Sequence, residues 1–307
     1  MRVIRSPSEL GSERARWCVA IGFFDGVHLG HQQIIRNAVN EARRHEGQAV
    51  VITFDRHPNT VVAPARVPPL IYSLSQKLRM METLGPDLVW LIHFDEDFSR
   101  QSGEEFVRKL VRDFDQVRSV SVGANFVFGH KRSGNVELLK RLGEEKHFAV
   151  NGLAAVALDG RAVSSTRIRE RIAAGELEAA SQMLGRAYSL SGTVVRGDGL
   201  GHRLGFPTAN VEVTGLALPP HGVYAIRALT QGKSWRAVLN LGVRPTLANP
   251  HPLLRVEAHL IGFQGDLYGQ ELELVFAQKL RDERKFGSLD ELREQIERDV
   301  RAAQQSF

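Results

Sequence analysis

Three clusters of residues carry groups suited to phosphate chemistry. The first is Gly22-Phe23-Phe24-Asp25-Gly26-Val27-His28-Leu29-Gly30-His31, where an apolar run stops and a helical pattern begins. His28 and His31 are spaced to share one face of an early helical turn. Two imidazoles beside a helix N-terminus can donate hydrogen bonds to phosphate oxygens, where backbone N–H groups and the positive helix end already point. The plainer reading makes Asp25 and His28 turn and capping residues. A metal pair is disfavoured, because no third ligand stands nearby in the sequence. The second cluster is Ser164-Ser165-Thr166-Arg167-Ile168-Arg169. Its hydroxyls suit an N-cap, and with the arginines it forms either a capped, solvated basic face or a second arm for a triphosphate. Which of Arg167, Arg169 and Arg171 would reach that triphosphate is left open. The third cluster runs from Gly197 through Gly199, Gly201 and Gly205 to Thr208-Ala209-Asn210. Glycines let a backbone approach phosphates closely. On a strand Thr208 and Asn210 face one side and offer two neutral oxygens, which suits Mg²⁺ when phosphates and water complete its shell. A glycine-rich hairpin alone would explain the glycines but not the Thr/Asn pair.

The elements that must position these residues differ between the two halves of the chain. Residues 19–24 and 48–54 are continuous apolar runs separated by a helical pattern over 31–45, which predicts a βαβ unit with buried parallel strands. Further strands are expected over 88–94 and 117–122, and helices over 75–84 and 103–114, the latter with Phe106, Leu110 and Phe114 on one face. The phosphate turn and Asp55-Arg56-His57-Pro58 then lie at carboxyl ends of strands, where open α/β sheets bind ligands. Pro64 to Pro69 holds three prolines and predicts a loop able to serve as a flap. After Gly185 the pattern changes to short alternating runs over 189–196, 223–229, 234–241, 254–261 and 270–276, which predict a small antiparallel barrel. A terminal helix is expected over 288–300, with Ser288 and Glu291 as a capping box and Leu289, Leu292, Ile296 and Val300 as its buried stripe.

Composition sets the outer limits. A chain of 307 residues predicts two domains, here 1–185 and 186–307. At 43% hydrophobic and 24% charged it builds ordinary cores. Its net charge of +5 suits anionic small molecules and is too weak and too interspersed to predict nucleic-acid binding. Cys18 is the sole cysteine, so no intrachain disulfide forms. No apolar run approaches a membrane span and the N-terminus carries no signal pattern, so a cytoplasmic protein without a membrane partner is expected. Oligomeric state is open, a homo-oligomer included.

The first cluster resembles the H-x-G-H signature of the nucleotidyltransferase superfamily, in the form found in bacterial bifunctional riboflavin kinase/FAD synthetases. The resemblance continues along nearly the whole chain, in family order. Gly123-Ala-Asn125-Phe126-Val-Phe128-Gly129 is similar to a segment that lines the flavin and nucleotide pocket, with Asn125 where Asp is commoner. Arg56 replaces a proline of the family's T-F-x-P-H-P. The Ser164 cluster resembles S-S-T-x-x-R, whose last position falls on Arg169. In the second half, Gly205 to Asn210 matches the kinase motif G-x-P-T-A-N, and Asn240 to Thr246 matches N-x-G-x-x-P-T. Arg255 to His259 matches the V-E-x-H strand, Asp266 to Gly269 the D-L-Y-G turn, and Arg281 to Phe286 the segment R-x-E-x-K-F.

The resemblance implies an α/β nucleotidyltransferase domain with a Rossmann-like parallel sheet, followed by a riboflavin kinase barrel with a C-terminal helix. It implies ATP as co-substrate, Mg²⁺ as cofactor, and riboflavin, FMN and FAD as ligands. Glu257 becomes the expected general base of the kinase, which must deprotonate an alcohol. Without the resemblance Glu257 reads as the exposed half of an alternating strand. Gly22, Phe24, Asp25, Gly26, Gly30, Ser164, Ser165, Thr166, Arg167 and Arg169, with Gly197, Gly199, Gly201 and Gly205, become expected nucleotide contacts. Asn125, Phe126, Phe128, Arg284 and Phe286 become expected flavin contacts, and Thr208 and Asn210 expected metal ligands. Adenylylation uses a nucleophile that is already anionic, so His28 and His31 are expected to position phosphates and neutralise charge. Two other readings stand beside this one: a kinase joined to an altered or degenerate adenylyltransferase, for which Arg56 and Asn125 leave room, and a flavin- or RNA-binding regulator.

Overall fold

The computed structural model describes the chain apart from residues 12–13 and 247–248, and apart from the side chains of residues 243–253. The Val243 to Thr246 part of the Asn240 match therefore has its side chains outside the described residues.

The first unit comprises Met1–Leu70 and Leu74–Ser165. Its six strands are β1 (Arg2–Ile4), β2 (Trp17–Ile21), β3 (Gln48–Phe54), β4 (Leu88–Ile92), β5 (Val117–Gly123) and β6 (Ala149–Leu153). They form one parallel sheet in the order β1-β4-β3-β2-β5-β6. The four inner strands follow the apolar runs. The two edge strands have weaker signals: β1 has one buried residue, and β6 includes Asn151 and Gly152.

Alternation along the strands feeds two cores. Ala20, Val51, Val89 and Leu91 pack with Ile35 and Ala38 of α1 (Leu29–Arg44) and Met81 of α2 (Leu74–Glu82). Val19, Ile21, Val50 and Ile52 pack on the opposite face with Phe106, Leu110 and Phe114 of α3 (Gly103–Phe114) and Val136 and Leu139 of α4 (Val136–Lys146). A sheet covered on both faces explains why β2 and β4 read as unbroken apolar runs. β2 sits between β3 and β5, where the strand order reverses. The turn after β2 is therefore at the topological switch point, the place where such sheets bind ligands. A two-stranded ribbon, β7 (Ala157–Leu158) with β8 (Arg161–Ala162), follows the sheet.

The second unit comprises Ile71–Ser73 and Thr166–Phe307. Its helices α5 (Ser165–Ala173) and α6 (Leu177–Leu184) precede the barrel. The division by contact thus lies before the expected boundary between residues 185 and 186. One reason is that α6 is bonded to the barrel entrance: Ser181 Oγ accepts from the Tyr188 N–H at 2.9 Å and donates to the Leu177 carbonyl at 2.6 Å. Tyr72 is buried here as well, and its hydroxyl accepts from Arg186 Nε at 3.2 Å.

Strands β9 (Ser189–Val195), β10 (Ala209–Glu212), β11 (Gly222–Thr230), β12 (Lys233–Thr246), β13 (Asn249–Leu260) and β14 (Glu271–Arg281) close into an antiparallel barrel in the order β10-β13-β12-β11-β14-β9. Closure removes unpaired sheet edges. Helix α7 (Leu289–Gln305) ends the chain. Of its expected apolar stripe, Leu289 is 60% exposed and so falls outside, whereas Leu292, Ile296 and Val300 are half-buried, Val300 against the barrel core, and Gln295, Asp299 and Ala303 are buried beside them. The buried polar positions join the helix to β14. Arg281 of β14 donates to Asp299 from Nε at 3.1 Å and Nη2 at 2.8 Å, and Gln295 Nε2 donates to Asp299 at 2.7 Å. The expected capping box is also shifted. Ser288 Oγ accepts from the Glu291 N–H at 3.2 Å, but the Glu291 carboxylate accepts from the Gly287 N–H at 2.9 Å.

Candidate active sites

In the first unit, Gly22 leaves β2 with its N–H on the Ile52 carbonyl at 3.1 Å. The chain then makes a tight 3₁₀ turn over Asp25–Val27. Phe24 and Val27 have φ of 56° and 40°, left-handed values that a bulky side chain adopts only under constraint, and both are buried. Gly26, at φ 77°, takes such a value without penalty. Asp25 and His28 are buried as well. His28 is the N-cap of α1, its Nδ1 accepting from the His31 N–H at 3.4 Å, and Gly30 lies in the first turn between the two histidines. The rings of His28 and His31 stack at 3.5 Å and 19°. The capping role is thus met, and it places His28 beside His31. Burial first, then His28, then the Lys77 charge hold the His31 imidazole well below its usual pKa. It is neutral at pH 7, and its buried Nδ1 has no hydrogen-bond partner among the described residues.

Ser165 joins this turn, its Oγ donating to the Asp25 carbonyl at 3.0 Å. Ser164 precedes it, and both are half-buried. Thr166, Arg167 and Arg169 follow on α5 and count with the second unit; Thr166 is exposed and the two arginines half-buried. Asn125 is exposed beyond β5. Phe126 and Phe128 stack at 5.2 Å and 16° and pack against the core below the sheet. They are core aromatics on one side and half-open on the other, so neither sequence reading excludes the other.

In the barrel, cross-strand register assembles the site. Glu257 on β13 lies opposite Asn210 on β10 and opposite Asn240 on β12. Directly opposed residues share a face, and all three line one cavity of about 280 Å³ together with Thr208, Arg284 and Phe286. Thr208 precedes β10 and also lines a second cavity of about 280 Å³, with His202, Phe263 and Tyr268. Gly197 and Gly201 hold the Thr/Asn pair closely. A Cβ on Gly197 would lie 2.2 Å from Asn210 Nδ2, and one on Gly201 would lie 3.1 Å from Thr208 Oγ1. Gly199 caps the short helix Leu200–Arg203 and Gly205 follows it. Arg255 ties this segment to the carboxylate, donating from Nη1 to Glu257 Oε1 at 3.0 Å and from Nη2 to Asp198 Oδ2 at 2.5 Å. The Arg284 guanidinium lies 4.8 Å over the Phe286 ring and donates to Gln295 Oε1. Thr208 and Asn210 supply neutral oxygens beside a carboxylate, a donor set that fits Mg²⁺.

A family model for FAD synthetase matches residues 11–167, and one for riboflavin kinase matches residues 184–307. The bifunctional riboflavin kinase/FMN adenylyltransferase of Escherichia coli K12 is 36% identical over 100% of this chain and 98% of its own. The chain belongs to the bifunctional riboflavin kinase/FMN adenylyltransferase family. A Pseudomonas fluorescens member is 37% identical over 99% of this chain and 97% of its own. A crystal structure of a Streptococcus pneumoniae protein named as a macrolide-efflux protein has the same fold, with a TM-score of 0.83 at 27% identity and 98% of each chain covered. In the present chain no described helix is long and apolar enough to cross a membrane. This kinase/adenylyltransferase phosphorylates riboflavin to FMN and adenylylates FMN to FAD, with ATP as substrate of both steps.

The departure at Arg56 has a local role in this kinase/adenylyltransferase. Arg56 Nε lies 3.4 Å from Asp55, and Nη2 lies 3.3 Å from His93 Nδ1. Burial pushes the Asp55 carboxyl up, but hydrogen bonds from His93 and the Phe94 N–H, with the Arg56 charge, hold it below its usual value. Sequence reading missed four residues of these sites: Arg255, Asn240 and Glu283, which line the barrel cavity, and Lys77, beside the turn. Asn240 and Arg255 stood inside recognised motifs, and Glu283 inside R-x-E-x-K-F. Lys77 carried no signal, since a lysine on a predicted helix normally faces solvent.

Proposed function

We propose that the barrel unit carries the kinase and the sheet unit the adenylyltransferase, with Glu257 as the kinase base and His28 and His31 as phosphate-positioning residues of the transferase. The observation that carries the kinase assignment is the register of Asn210, Glu257 and Asn240 across three adjacent strands at one cavity. Riboflavin sits in that cavity against Arg284 and Phe286, and the nucleotide in the neighbouring one, with its phosphates toward the glycine segment. Glu257 accepts the proton of the terminal ribityl hydroxyl as its oxygen bonds to the γ-phosphorus and the bond to the β-phosphate oxygen breaks, releasing ADP. Arg255 fixes one oxygen of that carboxylate. Thr208 and Asn210 would hold Mg²⁺, which neutralises charge on the transferred phosphoryl group when bound.

In the sheet unit, an FMN phosphate oxygen bonds to the α-phosphorus of ATP while the bond to the β-phosphate oxygen breaks and pyrophosphate leaves. No base is needed. His31 presents its buried Nδ1, and Ser165 and the first turn of α1 add donors at the strand switch point. Asn125 and the Phe126–Phe128 stack face the flavin. The test is chromatography of riboflavin incubated with ATP, with Mg²⁺ or with EDTA. FMN followed by FAD with Mg²⁺, and neither with EDTA, is the expected result. Full turnover in EDTA would remove the metal, and FMN without FAD would remove the transferase role of the sheet unit.

A further inference from the structure

We infer that Lys77 is a positioning residue for adenylyl transfer, clamping the carboxyl ends of β2 and β3 and holding a fixed positive charge at the base of the Gly22–His31 turn. This rests on the reading of that turn as the adenylyl-transfer site. Lys77 lies on α2 and is 4% exposed. Its Nζ donates to the Phe54 carbonyl at 2.8 Å, and to the Phe23 carbonyl and Thr53 Oγ1 at 3.3 Å each. Thr53 Oγ1 donates in turn to the same Phe23 carbonyl at 2.9 Å. The ammonium also sits 4.6 Å from the centre of the Phe23 ring, whose edge meets His57. One side chain thus joins the first residues of the phosphate turn to the end of the neighbouring strand.

Burying an ammonium is costly, and an apolar side chain would fill a position between helix and sheet at lower cost. That cost is visible in the Lys77 pKa, which burial lowers to about 8 against the raising effect of Asp25 and Asp55. Asp25, Asp55 and His31 act on its charge, with Asp55 itself engaged with His93 and Arg56, His28 stacked on His31, and His57 against the Phe23 ring beneath the ammonium. The charge reaches the reactive turn, because Lys77 is one of the groups that keep His31 neutral. A neutral imidazole offers one donor and one acceptor, and a fixed cation nearby stabilises charge gathering on the phosphates without reorganisation.

The test measures kcat/KM for FMN adenylylation from about pH 6.5 to 9.5, in the parent, Lys77→Met, Lys77→Arg and His31→Ala. Riboflavin phosphorylation by the same chains reports folding. Lys77→Met should lower adenylylation by about 10²-fold with phosphorylation unchanged. In the parent, kcat/KM should fall above about pH 8 as Lys77 loses its proton. Lys77→Arg should stay active through that range, since a guanidinium does not titrate there. Near-parent adenylylation in Lys77→Met, or a parent profile flat to the alkaline end, would overturn the inference. Should Lys77→Met fail to fold, the parent profile and Lys77→Arg still decide. Loss of adenylylation in His31→Ala with a near-parent Lys77→Met removes Lys77 alone, whereas full activity in His31→Ala removes the site reading itself.

Discussion

Arg255 holds Glu257 by one carboxylate oxygen, Nη1 to Oε1 at 3.0 Å, while its other amine grips Asp198 in the glycine segment at 2.5 Å. A side chain two positions along the same strand thus orients the carboxylate and joins it to the loop that carries Gly197 to Gly205. Arg255 is about one-quarter exposed. Its value lies in geometry more than in ion-pair energy, which is small for partly solvated pairs.

Glu257→Gln keeps size and removes the proton acceptor. Riboflavin phosphorylation should fall by about 10²–10⁴-fold, with adenylylation of supplied FMN nearly unchanged. Arg255→Met should lower the same kcat by less and leave its dependence on Mg²⁺ unaltered. Steady-state kinetics with FMN and FAD resolved by chromatography checks both. Parent-like phosphorylation in Glu257→Gln would return that residue to an ordinary strand position.

Asn210→Asp adds a charge at the proposed metal pair. Its kinase defect should respond to Mg²⁺ concentration, because the new carboxylate competes with the nucleotide phosphates for the ion. The Glu257→Gln defect should not respond. A Mg²⁺ titration of both variants at saturating riboflavin and ATP separates them, and equal rescue of the two would contradict the assigned roles.

His31 ties stability to pH. Its folded pKa lies well below the ordinary 6.5. Between those two values the unfolded chain binds the proton and the native chain does not, so stability falls as pH drops below 6.5. The slope is at most about 1.4 kcal/mol per pH unit. Urea unfolding of the first unit, followed through the buried Trp17 and Trp90, should show this acid-side loss in the parent. His31→Ala should lack it and should also abolish FAD formation while FMN formation persists.

Asp299 is buried against Arg281 and Gln295. Asp299→Ala strands a largely buried guanidinium and should cost about 3 kcal/mol, the low end for a broken buried pair, since Arg281 retains 20% side-chain exposure. Gln295 also holds Arg284 at the proposed riboflavin cavity, so KM for riboflavin should rise in the same variant. Urea midpoints of the barrel and kinase kinetics test the two effects. An unchanged midpoint would show that water replaces the carboxylate.

A fragment beginning at Thr166 should phosphorylate riboflavin unaided. One beginning at Arg186 should be less stable, because it lacks the Ser181 bond to Tyr188 and the rest of α6. Circular dichroism with a kinase assay compares them. A folded, inert Thr166 fragment would contradict the assignment of the kinase to the barrel unit.

Local signals were enough for much of this molecule. The apolar runs named the four inner strands because burial on both faces demands unbroken hydrophobicity. The runs around His28–His31, Thr208–Asn210 and Glu257 carried the family resemblance because tight turns and neutral oxygen pairs are written in contiguous residues. Tertiary structure decided what depends on distant partners. Strand order, which put the phosphate turn at the switch between β3 and β5, follows from crossovers that no single run encodes. On α7 the apolar period found Leu292, Ile296 and Val300 but not the buried Gln295 and Asp299 beside them, because those two are buried by partners on and after β14, Arg281 and Arg284, and a polar residue matched that way leaves no apolar period. Lys77 was invisible for the same reason: the three oxygens that make its burial tolerable belong to strands β2 and β3 and their turns, which meet α2 only in the folded chain.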